Sequence, residues 1–254
     1  MISLTIDNQT IEVAEGTTVL EAAEKLNIYI PTLCHHESLI PYGGCRLCVV
    51  EVSRNGTADL TSSCTYKVEE GLKVKTNTER VRKVRRLVLE LLLAEAPEAP
   101  ILQDLAREMG VSRPERLKPR KDDLCILCGR CVRACREVVG VNAIDYAKRG
   151  YSKRVAAPFF KSSPDCIACG TCFYICPTGA ITVQEVEEGQ KAQIPGGEIV
   201  AGPARIIDNW KVGLAMKRCS KCGEIIAPEF QFEYLRKRVD LPEDHFDICP
   251  SCRE

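Results

Sequence analysis

The chain has 254 residues, 35 acidic against 35 basic side chains, and 16 cysteines. A formal net charge of zero gives no general attraction to nucleic acid or anionic lipid. The opening MISLTIDNQTIEVAEG lacks a basic n-region and an apolar h-region, and the longest apolar run, LVLELLLA, is broken by Glu90. Neither a secretory signal nor a membrane span is therefore expected, and in a reducing cytoplasm clustered cysteines point to metal rather than to disulfides.

Residues 2–13, ISLTIDNQTIEV, alternate apolar and polar side chains about a polar turn at Asp7–Gln9, which predicts a hairpin. Thr18 and Glu21 have capping-box spacing at the head of TVLEAAEKL, so a short helix starts there. CVVEV and GLKVKT read as strands, making residues 1–76 a small mixed sheet over one helix. Over 79–96, Val81, Val84, Val88, Leu91 and Leu92 recur at a helical period. That leaves Arg80, Lys83, Arg85 and Arg86 on other faces, as a solvated surface or a subunit contact. ILQDLAREMG predicts a second helix stopped by Gly110, completing a helical segment over 77–120. A cysteine-rich domain over 121–184 follows, then a Gly- and Pro-containing connection over 185–210 and a small module over 211–254. The expected class is α+β, multidomain.

The cysteines fall into four groups of four, the usual thiolate count of an iron–sulfur cluster or a structural zinc. No odd thiol is left to act as a nucleophile. Cys125, Cys128, Cys131 and Cys135 have the spacing C-x2-C-x2-C-x3-C, and Cys166, Cys169, Cys172 and Cys176 repeat it. This is the bacterial two-cubane ferredoxin run, whose fourth cysteine begins the next helix and serves the other cluster. Carried to these positions, one [4Fe–4S] cluster takes Cys125, Cys128, Cys131 and Cys176. The other takes Cys135, Cys166, Cys169 and Cys172. Gly129 and Gly170 relieve crowding behind the second cysteine of each run, and Arg136 stands where proline is usual. Cys219, Cys222, Cys249 and Cys252 form two C-x2-C knuckles 26 residues apart, CSKCG and CPSC. Structural zinc in a zinc-ribbon-like module is the expectation there, with a fourth iron–sulfur cluster as the rival.

Cys34, Cys45, Cys48 and Cys64 have the spacing C-x10-C-x2-C-x15-C, related to the plant-type [2Fe–2S] plan without matching it. PTLCHHESL, GGCRLCVVEV and TSSC resemble the N-terminal [2Fe–2S] domain of [FeFe] hydrogenases. They are equally similar to that of complex I's large iron–sulfur subunit and of the small diaphorase subunit of NAD-linked [NiFe] hydrogenases. The resemblance runs on through RRLVLELLLAEAPE and CILCGRCVRACREVVG to about Ile181, some seven-tenths of the chain. It implies a β-grasp ferredoxin fold for residues 1–76 and a [2Fe–2S] cluster on these four cysteines. His35 and His36 are then loop or contact residues, because Rieske ligation replaces cysteines that are all present here. His245 is read as a surface residue.

One departure matters. Relatives carry a His-plus-three-Cys cubane after the helix matching RRLVLELLLAE, yet no cysteine or histidine lies between Cys64 and Cys125. That cluster is not expected, and its helices are expected to survive as packing elements. The [2Fe–2S] centre then lacks its usual intermediate, leaving a mobile domain or a partner's cluster to bridge the gap. No G-x-G-x-x-G follows a strand, so no nucleotide site is visible, and no catalytic triad or carboxylate pair stands out. What the resemblance implies is a non-catalytic electron-transfer subunit of a cytoplasmic NAD(P)-linked complex. Its expected partners are a flavin- and NAD-binding iron–sulfur subunit, a thioredoxin-like [2Fe–2S] subunit and a [NiFe] hydrogenase module. Electron bifurcation to soluble ferredoxin belongs to the same expectation. A formate dehydrogenase module is the alternative, and a non-redox iron–sulfur and zinc scaffold is the alternative of another class.

Overall fold

The computed structural model describes residues 1–54, 56–117 and 124–253. The boundary expected at 120/121 lies outside the described residues. The chain divides into two compact units, Met1–Arg130 with Pro177–Ala180, and Cys131–Cys176 with the chain from Ile181 onward.

In the first unit, β1 (Ile2–Ile6) and β2 (Gln9–Val13) form the expected hairpin. Asp7 and Asn8 turn it with φ of 45° and 72°, the paired left-handed conformation of a two-residue hairpin turn. The capping box is present: Thr18 Oγ1 accepts from the Glu21 amide at 3.2 Å, and the Thr18 amide donates to Glu21 Oε2 at 2.6 Å, opening α1 (Val19–Lys25). After the loop that carries Cys34 and Cys45 come β3 (Val49–Arg54), β4 (Thr57–Ser62) and β5 (Leu72–Lys75). The sheet order is β2-β1-β5-β3-β4, with the β1–β5 pair parallel and the others antiparallel. Leu4, Ile6, Leu20, Val50 and Leu72 from both layers close the core, and Cys48 and Cys64 belong to it.

Helices α2 (Glu79–Glu95) and α3 (Pro100–Met109) follow, the latter ended by Gly110 in the left-handed conformation. They pack Leu89, Leu93, Ala96, Leu102 and Leu105 into a second core that includes Cys34, Cys45 and Ile126. The buried stripe of α2 differs from the expected one. It is Val81, Arg85, Leu89 and Leu93, while Leu91 is exposed. Charge alone places Arg85 outside. Its guanidinium Nη2 instead donates to the Val49 carbonyl of β3 at 2.7 Å, so the head is bonded while the stem packs.

The second unit contains α4 (Arg130–Arg133, continuing from the first), which runs into a π-helical turn over Ala134–Val138. A short hairpin of β6 (Asp145–Ala147) and β7 (Arg154–Ala156) comes next, then α5 (Thr171–Tyr174). The helical turns start one residue before the third cysteine of each run, not at the fourth as expected. Gly129 and Gly170 at φ of 75° and 78° reverse the chain, and helix begins directly after them.

Residues 185–210, expected as a connection, are largely sheet. The strands are β8 (Val183–Val186), β9 (Lys191–Gln193), β10 (Ile199–Ala201) and β11 (Ala204–Ile207). They are followed by β12 (Val212–Arg218), β13 (Ile225–Pro228), α6 (Glu229–Arg236) and α7 (Pro250–Arg253). A four-stranded antiparallel sheet runs β13-β12-β11-β8, and β9 pairs with β10 separately. The module expected over 211–254 therefore shares its sheet with the stretch before it.

Candidate metal centres

Cys34, Cys45, Cys48 and Cys64 are all buried. The Cys45 amide donates to Cys34 Sγ at 3.4 Å, and Cys48 Sγ lies 3.3 Å from Cys64 Sγ. Hydrogen bonding to Cys34 pulls the Cys45 thiol down to about 5, and bonding to Cys64 pulls Cys48 down to about 6. Their partners Cys34 and Cys64 are pushed up, first by the same sulfur–sulfur bonds and then by burial. The four buried thiols thus sit as two hydrogen-bonded pairs, Cys34 with Cys45 and Cys48 with Cys64, and thiolates so paired repel one another as anions, so a cationic metal core would let both members of each pair ionise. His35 and His36 occupy the same loop. The His35 carbonyl accepts from Arg130 Nη2, burial lowers the His35 pKa, and His36 Nδ1 accepts from the Ser38 amide at 3.2 Å.

In the second unit, Cys135 joins Cys166, Cys169 and Cys172 around one cavity whose walls include Ile144, Ile167, Ile207 and Trp210. Cys135 lies four residues after Cys131, yet it faces the cysteines of the later run. The π-helical turn carries it there, and Tyr234 of α6 holds that turn by donating to the Val139 carbonyl at 2.9 Å. Burial raises Cys135, Cys166 (to about 11) and Cys172 (to about 12). Backbone amides oppose it, the Ala143 amide reaching Cys135 Sγ at 3.3 Å. An apolar cavity walled by four thiols, with amides aimed at sulfur, fits an iron–sulfur cubane in donor type and in number. Of the remaining run members, Cys125 and Cys128 lie in the first unit, where the Leu127 amide points to Cys125 Sγ at 3.4 Å and Cys128 packs on the α2–α3 core. Cys131 and Cys176 lie in the second unit, in or against its core.

Cys219, Cys222, Cys249 and Cys252 gather differently. Their sulfurs all lie within 4.8 Å of one another, and no other such group occurs among the described residues. Cys222 and Cys249 sulfurs are 3.7 Å apart, and the Cys249 amide donates to Cys219 Sγ at 3.3 Å. Amide bonds from Cys249 and Cys222 hold the Cys219 thiol down at about 6. Gly223, at φ 75°, closes the first knuckle by donating to the Cys219 carbonyl at 2.9 Å. His245 stacks edge-on against Phe246, with ring centroids 5.2 Å apart, outside this group.

Two residues that the sequence pattern does not single out reach the Cys166–Cys172 loop from the sheet. Arg205 of β11 donates to the Ala168 carbonyl at 3.4 Å, and the Trp210 indole Nε1 donates to Cys172 Sγ at 3.3 Å. The one signal in the sequence is the chain's single tryptophan, set between Asp208–Asn209 and Lys211.

Residues 1–79 match the 2Fe-2S iron-sulfur cluster binding domain family, and residues 124–180 match the 4Fe-4S dicluster domain family. Fold and cysteines together thus define an iron–sulfur protein with one 2Fe-2S domain and one 4Fe-4S dicluster domain. The chain is 37% identical over 206 residues to an NADH-quinone oxidoreductase subunit of Rhizobium meliloti, a match covering 71% of this chain and 24% of that protein. To the NADP-reducing hydrogenase subunit HndD of Solidesulfovibrio fructosivorans it is 38% identical over 215 residues, covering 73% and 36% respectively. A chain in the crystal structure of an NAD+-reducing [NiFe]-hydrogenase superposes with a TM-score of 0.60 at 34% identity. That match covers 70% of this chain and 86% of the hydrogenase chain. The chain belongs to the family of iron–sulfur electron-transfer subunits that includes these hydrogenase and NADH-quinone oxidoreductase components. It spans only 24% to 36% of the length of the curated relatives it matches. Among the described residues, no helix is long and apolar enough to cross a membrane.

Proposed function

We propose that this chain is the electron-transfer subunit of a cytoplasmic NAD(P)-linked hydrogenase complex and turns over no substrate itself. The observation that carries this reading is the match to 86% of a chain of an NAD+-reducing [NiFe]-hydrogenase, with every cysteine of the chain accounted for by a group of four. Electrons would pass between a flavin- and NAD-binding subunit, a thioredoxin-like [2Fe–2S] subunit and the hydrogenase module, with bifurcation to soluble ferredoxin as the fuller form. Another relative is the alpha subunit of an NADPH-Fe(3+) oxidoreductase of Geobacter sulfurreducens, 36% identical over 205 residues. That name favours a second reading, in which the same wiring serves a non-hydrogenase module such as a formate dehydrogenase.

The ligand sets follow the sequence assignment. Cys34, Cys45, Cys48 and Cys64 hold the [2Fe–2S] cluster. Cys125, Cys128, Cys131 and Cys176 hold one [4Fe–4S] cluster, and Cys135, Cys166, Cys169 and Cys172 hold the other. At the C-terminal group, spacing supports one of the two candidates. Tetrahedral zinc with metal–sulfur bonds of about 2.3 Å sets its thiolates about 3.8 Å apart, whereas a cubane places four irons between them and spreads them wider. The 3.7 Å separation of Cys222 and Cys249 favours one zinc ion, held to fold the sheet and its helices. Zinc has no redox chemistry, so this site carries no electrons.

The test is reduction of the purified, cluster-loaded chain followed by its visible absorbance. NADH with the flavin subunit, and separately hydrogen with the hydrogenase module, is expected to bleach the clusters. The chain alone is expected to oxidise neither substrate. Turnover by the rigorously purified chain would overturn the carrier reading. Bleaching by formate with its dehydrogenase, and not by hydrogen, would select the second module.

A further inference from the structure

We infer that Trp210 is a positioning residue for electron transfer: its indole N–H, donated to Cys172 Sγ, raises the reduction potential of the cluster held by Cys135, Cys166, Cys169 and Cys172. This rests on the ligand assignment above. The donor comes from outside the dicluster segment, since the family match ends at residue 180 and Trp210 lies in the connection between β11 and β12.

Three observations carry it. The first is the bond itself, 3.3 Å from Nε1 to Sγ, within the sulfur range and made by a ring that is buried and lines the same cavity as the four thiols. The second is that the donor is held in place. The Thr182 amide donates to Asn209 Oδ1 at 2.8 Å, and Thr182 Oγ1 and Gln184 Nε2 donate to Asp208 Oδ2 at 3.0 and 2.8 Å. These bonds tie both residues ahead of Trp210 to β8 and its approach, so the indole does not swing freely. The third is selectivity. Arg205 of β11 bonds the Ala168 carbonyl of the same loop, so a strand residue and a residue of the β11–β12 connection converge on the run from Cys166 to Cys172.

The sign follows from charge. Reduction adds an electron to a cluster whose thiolates are already anionic, and an N–H dipole aimed at sulfur stabilises the more negative state more strongly. Burial sharpens this, because no water replaces the donor when it is removed. Trp210 therefore holds this cluster at a higher potential than it would have without the indole N–H. A ring that only filled space would leave the potential unmoved when exchanged for another ring.

The experiment compares wild type with Trp210→Phe in the full cluster-loaded chain, by redox titration followed by electron paramagnetic resonance. Phenylalanine keeps an aromatic ring and removes the N–H. Loss of one hydrogen bond to a charged group is expected to shift that cluster's reduction equilibrium about three- to tenfold toward the oxidised form, about 28 to 59 mV at 59 mV per decade for one electron. The other cubane should not move. A potential that stays put, or a rise, overturns the inference. Should the variant not fold, the wild type answers alone, because the chain has one tryptophan. With 15N at the indole nitrogen, the reduced cluster is expected to show a nitrogen hyperfine coupling, and its absence overturns the inference. Failure of the ligand assignment looks different: Cys172→Ala would then leave both cubane signals intact.

Discussion

Replacing Cys135 by alanine tests the crossing of ligands between the two cysteine runs. In sequence Cys135 completes the run that begins at Cys125; in space it faces Cys166, Cys169 and Cys172. If each cubane takes its fourth thiolate from the other run, this variant removes one of four ligands from the later cluster only. The full chain is expected to hold about ten irons, two from the [2Fe–2S] cluster and four from each cubane, so losing one cubane should leave about six. The local cost to the fold is small by comparison. The Ala143 amide loses its sulfur acceptor, worth about 1 kcal/mol against a domain stability of about 5–15 kcal/mol, so losing that bond alone does not unfold the domain. Iron analysis and the spectrum of the dithionite-reduced protein read the result, with circular dichroism as the folding check. Cys135→Ala should match Cys169→Ala and differ from Cys128→Ala, and Cys176→Ala should match Cys128→Ala. Should Cys135→Ala instead reproduce the spectrum of Cys128→Ala, each run binds its own cluster and the crossed assignment is wrong.

The C-terminal group is expected to hold one zinc per chain, lost in Cys222→Ser with iron unchanged; elemental analysis giving about fourteen irons and no zinc would make it a cubane. Leu89→Ala empties a fully buried position in the core that includes Cys34, Cys45 and Ile126, so it should cost about 2–5 kcal/mol in denaturant unfolding. Arg85→Met keeps the stem but leaves the Val49 carbonyl unpaired, for a loss of about 1–3 kcal/mol; a neutral result would mean that water reaches this carbonyl. Thr18→Ala removes a capping box and should cost about 1 kcal/mol.

What could be read in the sequence was local. The hairpin over 2–13, the Thr18 cap and the Gly110 stop each announce themselves within a few residues, and the cysteine runs carry their spacing openly. Contacts made over long separations could not be read. Gly213 is an example: a Cβ there would come within 2.6 Å of Ile194 Cδ1 and 2.8 Å of Val200 Cγ2, so its absence lets the β9–β10 hairpin pack on β12. In sequence the same region offers strands of only three or four residues between glycines and prolines, too short for a period to show. Arg85 failed for a related reason, since the carbonyl that receives it lies 36 residues earlier.

The lack of any cysteine or histidine between Cys64 and Cys125 bears on the route of electrons. The sequence leaves the [2Fe–2S] centre without its usual intermediate and calls for a mobile domain or a partner's cluster. Within the first unit, however, Cys34 and Cys45 share one core with Leu33, Leu47, Leu89 and Ile126, and Cys128 packs against that core. Helices α2 and α3 contribute Leu89, Leu93, Leu102 and Leu105 to this core. Tunnelling weakens exponentially with distance and passes better through packed atoms than through gaps, so this core offers a van der Waals route from the Cys34 and Cys45 loop to Cys128. If Cys128 ligates a cubane as proposed, that cubane and the [2Fe–2S] cluster are expected to sense each other magnetically. In the fully reduced chain, the [2Fe–2S] signal should relax faster than in Cys128→Ala, measured by microwave power saturation at fixed temperature. Identical saturation in both proteins would mean that the two centres do not communicate through this core, and the bridge would have to come from a partner.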